Sequence, residues 1–338
     1  MLSKGVYIIA EVGPNHNGDI NLALEMVEKI AATGVDAIKF QLTNPYKLYS
    51  KDSFKANYQK ENDKAPSAIE MSLSFQLSHE NHIKLYNRCK ELGVDYSCTA
   101  FDIDSLKFLD ENVDLSFFKI ASGEIFSLDT VDYIAHQNKP IVISTGMATY
   151  DEIEKALALL NKYSKKEITI LHCISNYPAK YEEVNLKNML EIQRRFGYEV
   201  GFSDHTIGNE CAIAAVAMGA KVIEKHVTLD KTLPGPDHKA SIDIPELASL
   251  VSSIRHIEQA IGVPERCFSN AQREILGVAR KSIVTTRDLK AGQKITEDDI
   301  CFKRPGIGFL PTETDKVIGK TLLCDVENDR VIKRDYIK

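Results

Sequence analysis

No apolar run in these 338 residues approaches the ~18 that a membrane span needs, so no crossing of a bilayer is expected. The opening stretch, MLSKGVYIIAEVG, lacks the apolar core and small-residue cleavage site of a signal peptide. Basic charge is not in excess either. Lysine and arginine total 42 against 48 acids, a formal net charge of −6, which argues against a general nucleic-acid binder. The seven cysteines (Cys89, Cys98, Cys173, Cys211, Cys267, Cys301, Cys324) contain no C-x-x-C pair, which excludes a zinc-finger framework and a disulfide scaffold and reads as reduced thiols. No G-x-G-x-x-G follows the first candidate strand. These absences leave a cytoplasmic globular protein that uses neither nucleic acid nor membrane.

The composition, 43% hydrophobic and 27% charged, is that of an ordinary globular chain. At ~150 residues per domain the length suggests two domains. From Val6 to Gly262 a short Val/Ile-rich run is repeatedly followed by a segment of helical period. The strand candidates are VYIIAEVG, AIKFQ, DYSCTAF, FFKIASGE, PIVISTGM, ITILHCIS, EVGFSDH and KVIEKHVT. Helical segments such as NLALEMVEKIAATG and HENHIKLYNRCKELG lie between them, several closing on glycine (Gly34, Gly93, Gly219, Gly262). About eight such units over some 250 residues predict a (β/α)8 TIM barrel rather than a doubly wound open sheet. The stretch Leu42 to Ser78 is long and polar for a connection, which marks it as functional or as a lid. After Gly262 the pattern changes. Residues 263–281 are expected to be a linker or an irregular helix, able to span on the order of 60 Å if extended. Residues 282–338, with 11 basic and 10 acidic side chains, are expected to form a small β-rich module without a basic stripe.

Active sites of such barrels lie at the C-terminal ends of the strands, and polar residues collect there. They are Glu11, Lys39 and Gln41, Thr99, Lys119 with Ser122 and Glu124, Ser144 and Thr145, His172 with Ser175 and Tyr177, Ser203 with Asp204 and His205, and His226. Strands buried on both faces should be almost continuously apolar, so charge on nearly every one is a functional signal. His205 and His226 fall 21 residues apart at matching points of neighbouring strands, about 4.8 Å from each other across the ladder. Two imidazoles so placed can share a divalent ion and leave positions open for water and substrate oxygens. The plainer alternative for each is a hydrogen-bonded core histidine, and the remaining histidines, His16 aside, are expected to be solvated. Lys39 and Lys119 suit an anion, with Thr99, Ser122, Ser144 and Ser203 completing a phosphate or carboxylate cradle. The same lysines could instead pair with Glu11 or Glu124, or serve as a Schiff-base amine. Glu11 and Glu124 are either acid–base groups or lysine partners, and Asp237, in the loop LPGPDH, is a substrate ligand or a turn residue. KRPG, holding Arg304, reads as a rigid turn carrying two cations.

The motifs AEVGPNHNG, AIKFQ, FKIASGE, STGMAT, FSDHT, IEKHVTLD, GPDHKAS, ARKSIV and KRPGIG, in this order, resemble those of the sialic acid synthases. The tail resembles their antifreeze-like (SAF) domain. The resemblance implies condensation of phosphoenolpyruvate with an N-acylated mannosamine-type sugar, N-acetylmannosamine or a 2,4-diacetamido-trideoxy hexose. The products would be a nine-carbon 2-keto acid and phosphate. It implies further that His205 and His226 hold a divalent metal, typically manganese, with magnesium or cobalt as substitutes. Lys39, Lys119, Thr99, Ser122, Ser144 and Ser203 would hold phosphoenolpyruvate, and Glu11 would move protons. Gln41, Glu124, Tyr177 and Asp237 would contact the sugar. Arg304, from the tail of a partner subunit in a homodimer, would reach the acylamino group. Three places depart from the family pattern, Asn176, Ala100 and the loop LTNPYKLYS after Gln41, and the first and third face the sugar side. A Schiff-base aldolase and a non-catalytic sugar-binding protein are the competing readings.

Overall fold

The computed structural model describes residues 5–163 and 166–338. The chain divides into two compact units, Met1–Gly262 and Val263–Lys338. In the first, eight strands pair in parallel: β1 (Tyr7–Glu11), β2 (Ala37–Leu42), β3 (Asp95–Ala100), β4 (Phe118–Ile120), β5 (Ile141–Ser144), β6 (Ile168–Cys173), β7 (Glu199–Asp204) and β8 (Val222–His226). The ladder runs β3-β2-β1-β8-β7-β6-β5-β4, and β3 and β4 pack side by side, so the sheet nearly closes into the expected TIM barrel. Each strand feeds a helix on the outside, the right-handed crossover that parallel pairing requires.

The period of two along each strand sorts the side chains. One set (Ile8, Ala10, Ile38, Phe40, Cys98, Ile120, Ile143, Ile170, Phe202, Ile223) faces the helices and forms the main core. The alternate set faces the barrel axis. Its lower layer is apolar, with Ile9, Ala37, Phe117, Val142, Leu171 and Val222 packed beside Tyr7. Above that plug, toward the strand C-termini, the inward positions turn polar. Local signals start and stop the helices, and of the four expected glycine stops Gly93 is the left-handed cap. Asp19 accepts from Asn21 N–H at the start of helix Ile20–Ala31, Ser78 caps His79–Leu92, and Gly93 ends that helix in the left-handed region.

Two sequence expectations need correction. The run FFKIASGE yields only three strand residues. Its Ser122 Oγ accepts from Gly146 N–H at 2.9 Å, and Ser122–Glu124 winds into a 3-10 turn. The polar stretch after β2 is not bare loop: it contains three short helices, Pro45–Leu48, Asn57–Asn62 and Ala68–Ser74.

In the second unit β9 (Ser282–Thr285) pairs antiparallel with β10 (Ile300–Lys303). Ile283, Leu289, Ile295, Phe309, Val317, Leu322, Val326 and Ile332 form its separate core. Within the stretch expected as a linker, Asn270–Ala279 is a helix, tied to this unit where Gly306 N–H donates to Gly277 O at 2.7 Å.

Candidate active site

The inward polar layer opens into a cavity of about 430 Å³. Its walls include thirteen of the residues singled out from sequence: Glu11, Lys39, Gln41, Thr99, Lys119, Ser122, Ser144, Ser175, Tyr177, Ser203, His205, His226 and Asp237. Ladder register explains the convergence, since Glu11 stands opposite both Lys39 and His226, Gln41 opposite Thr99, and Ser203 opposite Glu224. Glu124 is not brought into the wall. It sits in the 3-10 turn, and its carboxylate takes a hydrogen bond from Ser127 Oγ. Arg304 belongs to the second unit, exposed beside a hollow that Lys303, Arg330 and Lys333 also line.

Four buried charges share the floor. Lys39 Nζ lies 2.7 Å from Glu11 Oε2, 3.7 Å from Glu224 Oε2, and donates to Thr99 Oγ1 at 3.2 Å. Lys119 Nζ lies 3.3 Å from Glu224 Oε1. Glu224 also accepts from Ser203 Oγ at 3.0 Å, and Glu11 from Gln41 Nε2 at 2.7 Å. Burial by itself would push both carboxyls up. For Glu224 the ammoniums of Lys119 and Lys39 more than offset it and hold the group at about 2. Glu11 has one lysine and a neighbouring Glu224 charge, so burial wins and its pKa is raised. The lysines divide in the same way. Lys39 loses by burial but gains more from Glu11 and Glu224, and rises; Lys119 is lowered by burial, with Lys39 adding repulsion. Among the described residues Ser144 Oγ, also in the cavity wall, is buried without a hydrogen-bond partner.

The two histidines lie with ring centroids 5.4 Å apart, edge to face, and Tyr177 stacks on His205 at 4.2 Å. His205 Nδ1 is 2.7 Å from the Ile174 carbonyl, which can only accept, so Nδ1 carries the proton and Nε2 presents its lone pair. His226 Nδ1 is buried with no hydrogen-bond partner, 3.6 Å from Asp237 Oδ2. Burial holds His205 down at about 4 and His226 well below its ordinary value, the latter also repelled by His205. Two neutral imidazoles, one of them with an orphaned ring nitrogen, are a donor set that fits a divalent cation. Among the described residues no group of three or more His, Cys, Asp or Glu is placed to hold an ion, so water and substrate would have to complete any coordination. Burial raises the Asp237 carboxyl to about 7, with the Glu11 charge adding to it.

Several polar residues fall elsewhere than the sequence suggested. Asp204 points outward, where it takes Lys225 Nζ at 2.8 Å behind the sheet. His172 also faces outward, its Nε2 2.7 Å from the Val184 carbonyl. His82 and His238 are fully buried rather than solvated, His82 against Tyr96 OH at 2.6 Å and His238 against Thr228 Oγ1 at 2.7 Å. Glu224 was missed. Its signal was the alternation in IEKH, which puts Glu224 and His226 on one face and Lys225 on the other.

Residues 26–266 match the NeuB family, and residues 280–337 match the SAF domain. The chain belongs to the NeuB family. It is 39% identical to the N,N'-diacetyllegionaminic acid synthase of Legionella pneumophila, over 99% of this chain and 96% of that one. The synthase of the same name in Campylobacter jejuni is 40% identical, over 98% of this chain and 99% of its own. Among solved structures, the N-acetylneuraminic acid synthetase of Leptospira borgpetersenii, in complex with citrate, superposes with a TM-score of 0.72 at 32% identity, covering 81% of this chain and 90% of that one. A NeuB-family barrel followed by an SAF domain is the architecture of this chain.

Proposed function

We propose that this protein is a nonulosonic acid synthase that condenses phosphoenolpyruvate with an N-acylated hexose of the mannosamine type. The observation that carries this reading is the pairing, in one cavity, of two buried lysines with two neutral histidines. The diacetyllegionaminic acid synthases among its relatives favour a 2,4-diacetamido-trideoxy acceptor over N-acetylmannosamine.

Lys119 and Lys39, with Thr99, Ser122, Ser144 and Ser203, hold the phosphate and carboxylate of phosphoenolpyruvate. The unpartnered Ser144 Oγ and the singly paired Lys119 are the groups most in need of an anion's oxygens. His205 and His226 would hold a divalent ion, manganese by family resemblance, which when bound would supply Lewis-acid polarisation of the sugar aldehyde. The enol carbon attacks that aldehyde, and a cationic centre forms at the former C2. Water adds there, and phosphate leaves with C–O cleavage. Glu11, the carboxyl with the raised pKa, moves the proton at the aldehyde oxygen, while Glu224 stays ionised and faces the developing positive charge. Gln41, Tyr177 and Asp237 contact the sugar.

The reading extends to a cytoplasmic homodimer in which the SAF domain of one subunit serves the barrel of the other. All seven cysteines are free, and among the described residues no helix is long and apolar enough to cross a membrane. In the segments that follow the strands, Tyr46, Phe54, Phe126, Leu128, Met147 and Ile207 are exposed, apolar surface that suits a covering partner.

Phosphate release from phosphoenolpyruvate, assayed against a panel of N-acyl hexosamines with and without EDTA, tests the proposal. Turnover should require an acylated acceptor and stop on chelation. In ¹⁸O-water the released phosphate should stay unlabelled, because the bridging oxygen leaves with phosphorus. A Schiff-base aldolase is the second reading, favoured by the burial-lowered Lys119 amine. Borohydride with substrate would then trap a covalent lysine adduct, and that result would overturn the synthase mechanism.

A further inference from the structure

The lining of the cavity changes character toward the segment after β2. The strands contribute the lysines and most of the hydroxyls, whereas that segment contributes Tyr49, Tyr58, Gln59, Met71 and Phe75. Part of it, residues 55–65, is closed by an internal staple. The Lys55 side chain is 5% exposed, and its Nζ donates to Asp63 O and Asp63 Oδ1, each at 2.7 Å, and to Ala65 O at 2.9 Å. One buried ammonium thus satisfies two carbonyls and a carboxylate across an eleven-residue turn. Few other groups could do so without leaving an oxygen unpaired. The loop is pinned at a second point: Asn62 Nδ2 donates to Pro236 O at 3.3 Å and Asn62 Oδ1 accepts from Lys239 Nζ at 2.8 Å. Pro236 and Asp237 belong to the cavity wall themselves.

Between the staple and the pin, Tyr58 is carried against Tyr177, ring centroids 5.4 Å apart and tilted by 35°, so that Tyr58, Tyr177 and His205 form a row of rings. The Tyr58 phenol is raised by burial and then by the Asp237 carboxylate, which places the hydroxyl in the field of that group. Gln59 faces the cavity too, its Oε1 held by Ala56 N–H at 2.9 Å.

We propose that residues 55–65 are the acceptor-reading wall, with Tyr58 as the residue that discriminates acylation and Lys55 as the positioning residue that holds it. This rests on the function proposed above and adds to it. An acetamido group is a flat amide with a methyl, which packs on an aromatic face and hydrogen-bonds at its edge. A second acetamido group on the acceptor therefore finds its partner on the Tyr58 side of the cavity, away from the lysines.

The test compares kcat/KM for a diacetamido and a monoacetamido acceptor in the wild type, Tyr58→Ala, Tyr58→Phe and Lys55→Met. Tyr58→Ala should lower the preference for the diacetamido sugar roughly tenfold, the scale of one lost stacking or hydrogen-bond contact, while KM for phosphoenolpyruvate holds. Tyr58→Phe keeps the ring and should retain most of the preference. Lys55→Met should reproduce the Tyr58→Ala pattern with Tyr58 still present. Equal losses on both sugars, or no change in preference at an unaltered melting temperature, would overturn the inference. Failure of the wild type to release phosphate from phosphoenolpyruvate with any acceptor would instead overturn the function beneath it.

Discussion

Lys39 and Lys119 are both buried cations, yet they are not equivalent. Lys39 is answered by Glu11, Thr99 and the more distant Glu224, so its charge is spent within the fold. Lys119 shares Glu224 alone and has most to gain from an arriving anion. Lys119→Met should therefore raise KM for phosphoenolpyruvate by about 10- to 100-fold, the equivalent of one charge-assisted hydrogen bond, and lower the melting temperature as well, because Glu224 keeps only Lys39 at 3.7 Å. Lys39→Met should lower the melting temperature further, because it strands Glu11 and also leaves Glu224 with one cation. Removing one partner of a buried pair costs roughly 3–5 kcal/mol, so unfolding midpoints should fall first. Steady-state kinetics beside thermal melts separate the two outcomes. A second residue-scale prediction concerns acid. Burial holds His82 at about 3 against an ordinary value of 6.5. The folded state then refuses a proton that the unfolded chain accepts. The sign follows: stability is complete above pH 6.5 and declines as pH falls toward 3, at up to ~1.4 kcal/mol per pH unit from this residue. Melting temperatures measured from pH 7 to pH 5 should drop, and His82→Gln should flatten the slope.

At the scale of elements, the site depends on how closely β7 and β8 approach. Gly201, on β7, makes that approach: a Cβ there would stand 2.3 Å from Val222 O and 2.6 Å from Leu171 Cδ2. Gly201→Ala must push β8 and the apolar plug apart, and that would separate His205 from His226 as well as destabilise the barrel. Overpacking of this kind costs about 1–3 kcal/mol, so a depressed melting temperature with a weaker response of activity to added metal is expected. The strands were legible because a parallel sheet buried on both faces needs apolar runs, and the eight runs stand out. The charges in them marked the cavity for the same reason. Glu224 escaped because it was read with its neighbours in sequence, not with His226 two positions on. His82 and His238 escaped because a buried neutral histidine with one hydrogen bond leaves no local trace: their partners, Tyr96 and Thr228, are set by tertiary packing. The same holds for the Lys55 staple. Nothing in KANYQKENDKA tells a buried lysine from its solvated neighbours.

For the whole molecule, the question is what the SAF domain does for the barrel. The stretch expected to extend across on the order of 60 Å is shorter in reach, because ten of its residues, Asn270–Ala279, are helical and fastened to the tail. Only residues 263–269 lie between the helix that ends at Ile261 and the helix Asn270–Ala279, a reach of at most roughly 23 Å. That helix leaves Ile275 and Val278 exposed at 61% and 71%, although its sequence is amphipathic. In the proposed homodimer a second copy would cover these apolar residues and those beyond the strand C-termini. Arg304 fits the same scheme. Lys303 beside it is paired with Asp329 at 2.6 Å, whereas Arg304 is exposed and, among the described residues, has no carboxylate partner. A free guanidinium on a turn is a donor fork suited to an amide carbonyl. Mixing Arg304→Ala with His226→Ala, each inactive alone, tests whether it serves another subunit. In a mixed dimer one barrel keeps both its histidine and the intact arginine from the other chain, so up to one site per dimer should work. Allowing for the parent dimers that persist in a random mixture, about a quarter of wild-type activity should return. If subunit exchange is confirmed by mass and no activity returns, the arginine acts within its own chain, and the exchanged-tail arrangement is wrong.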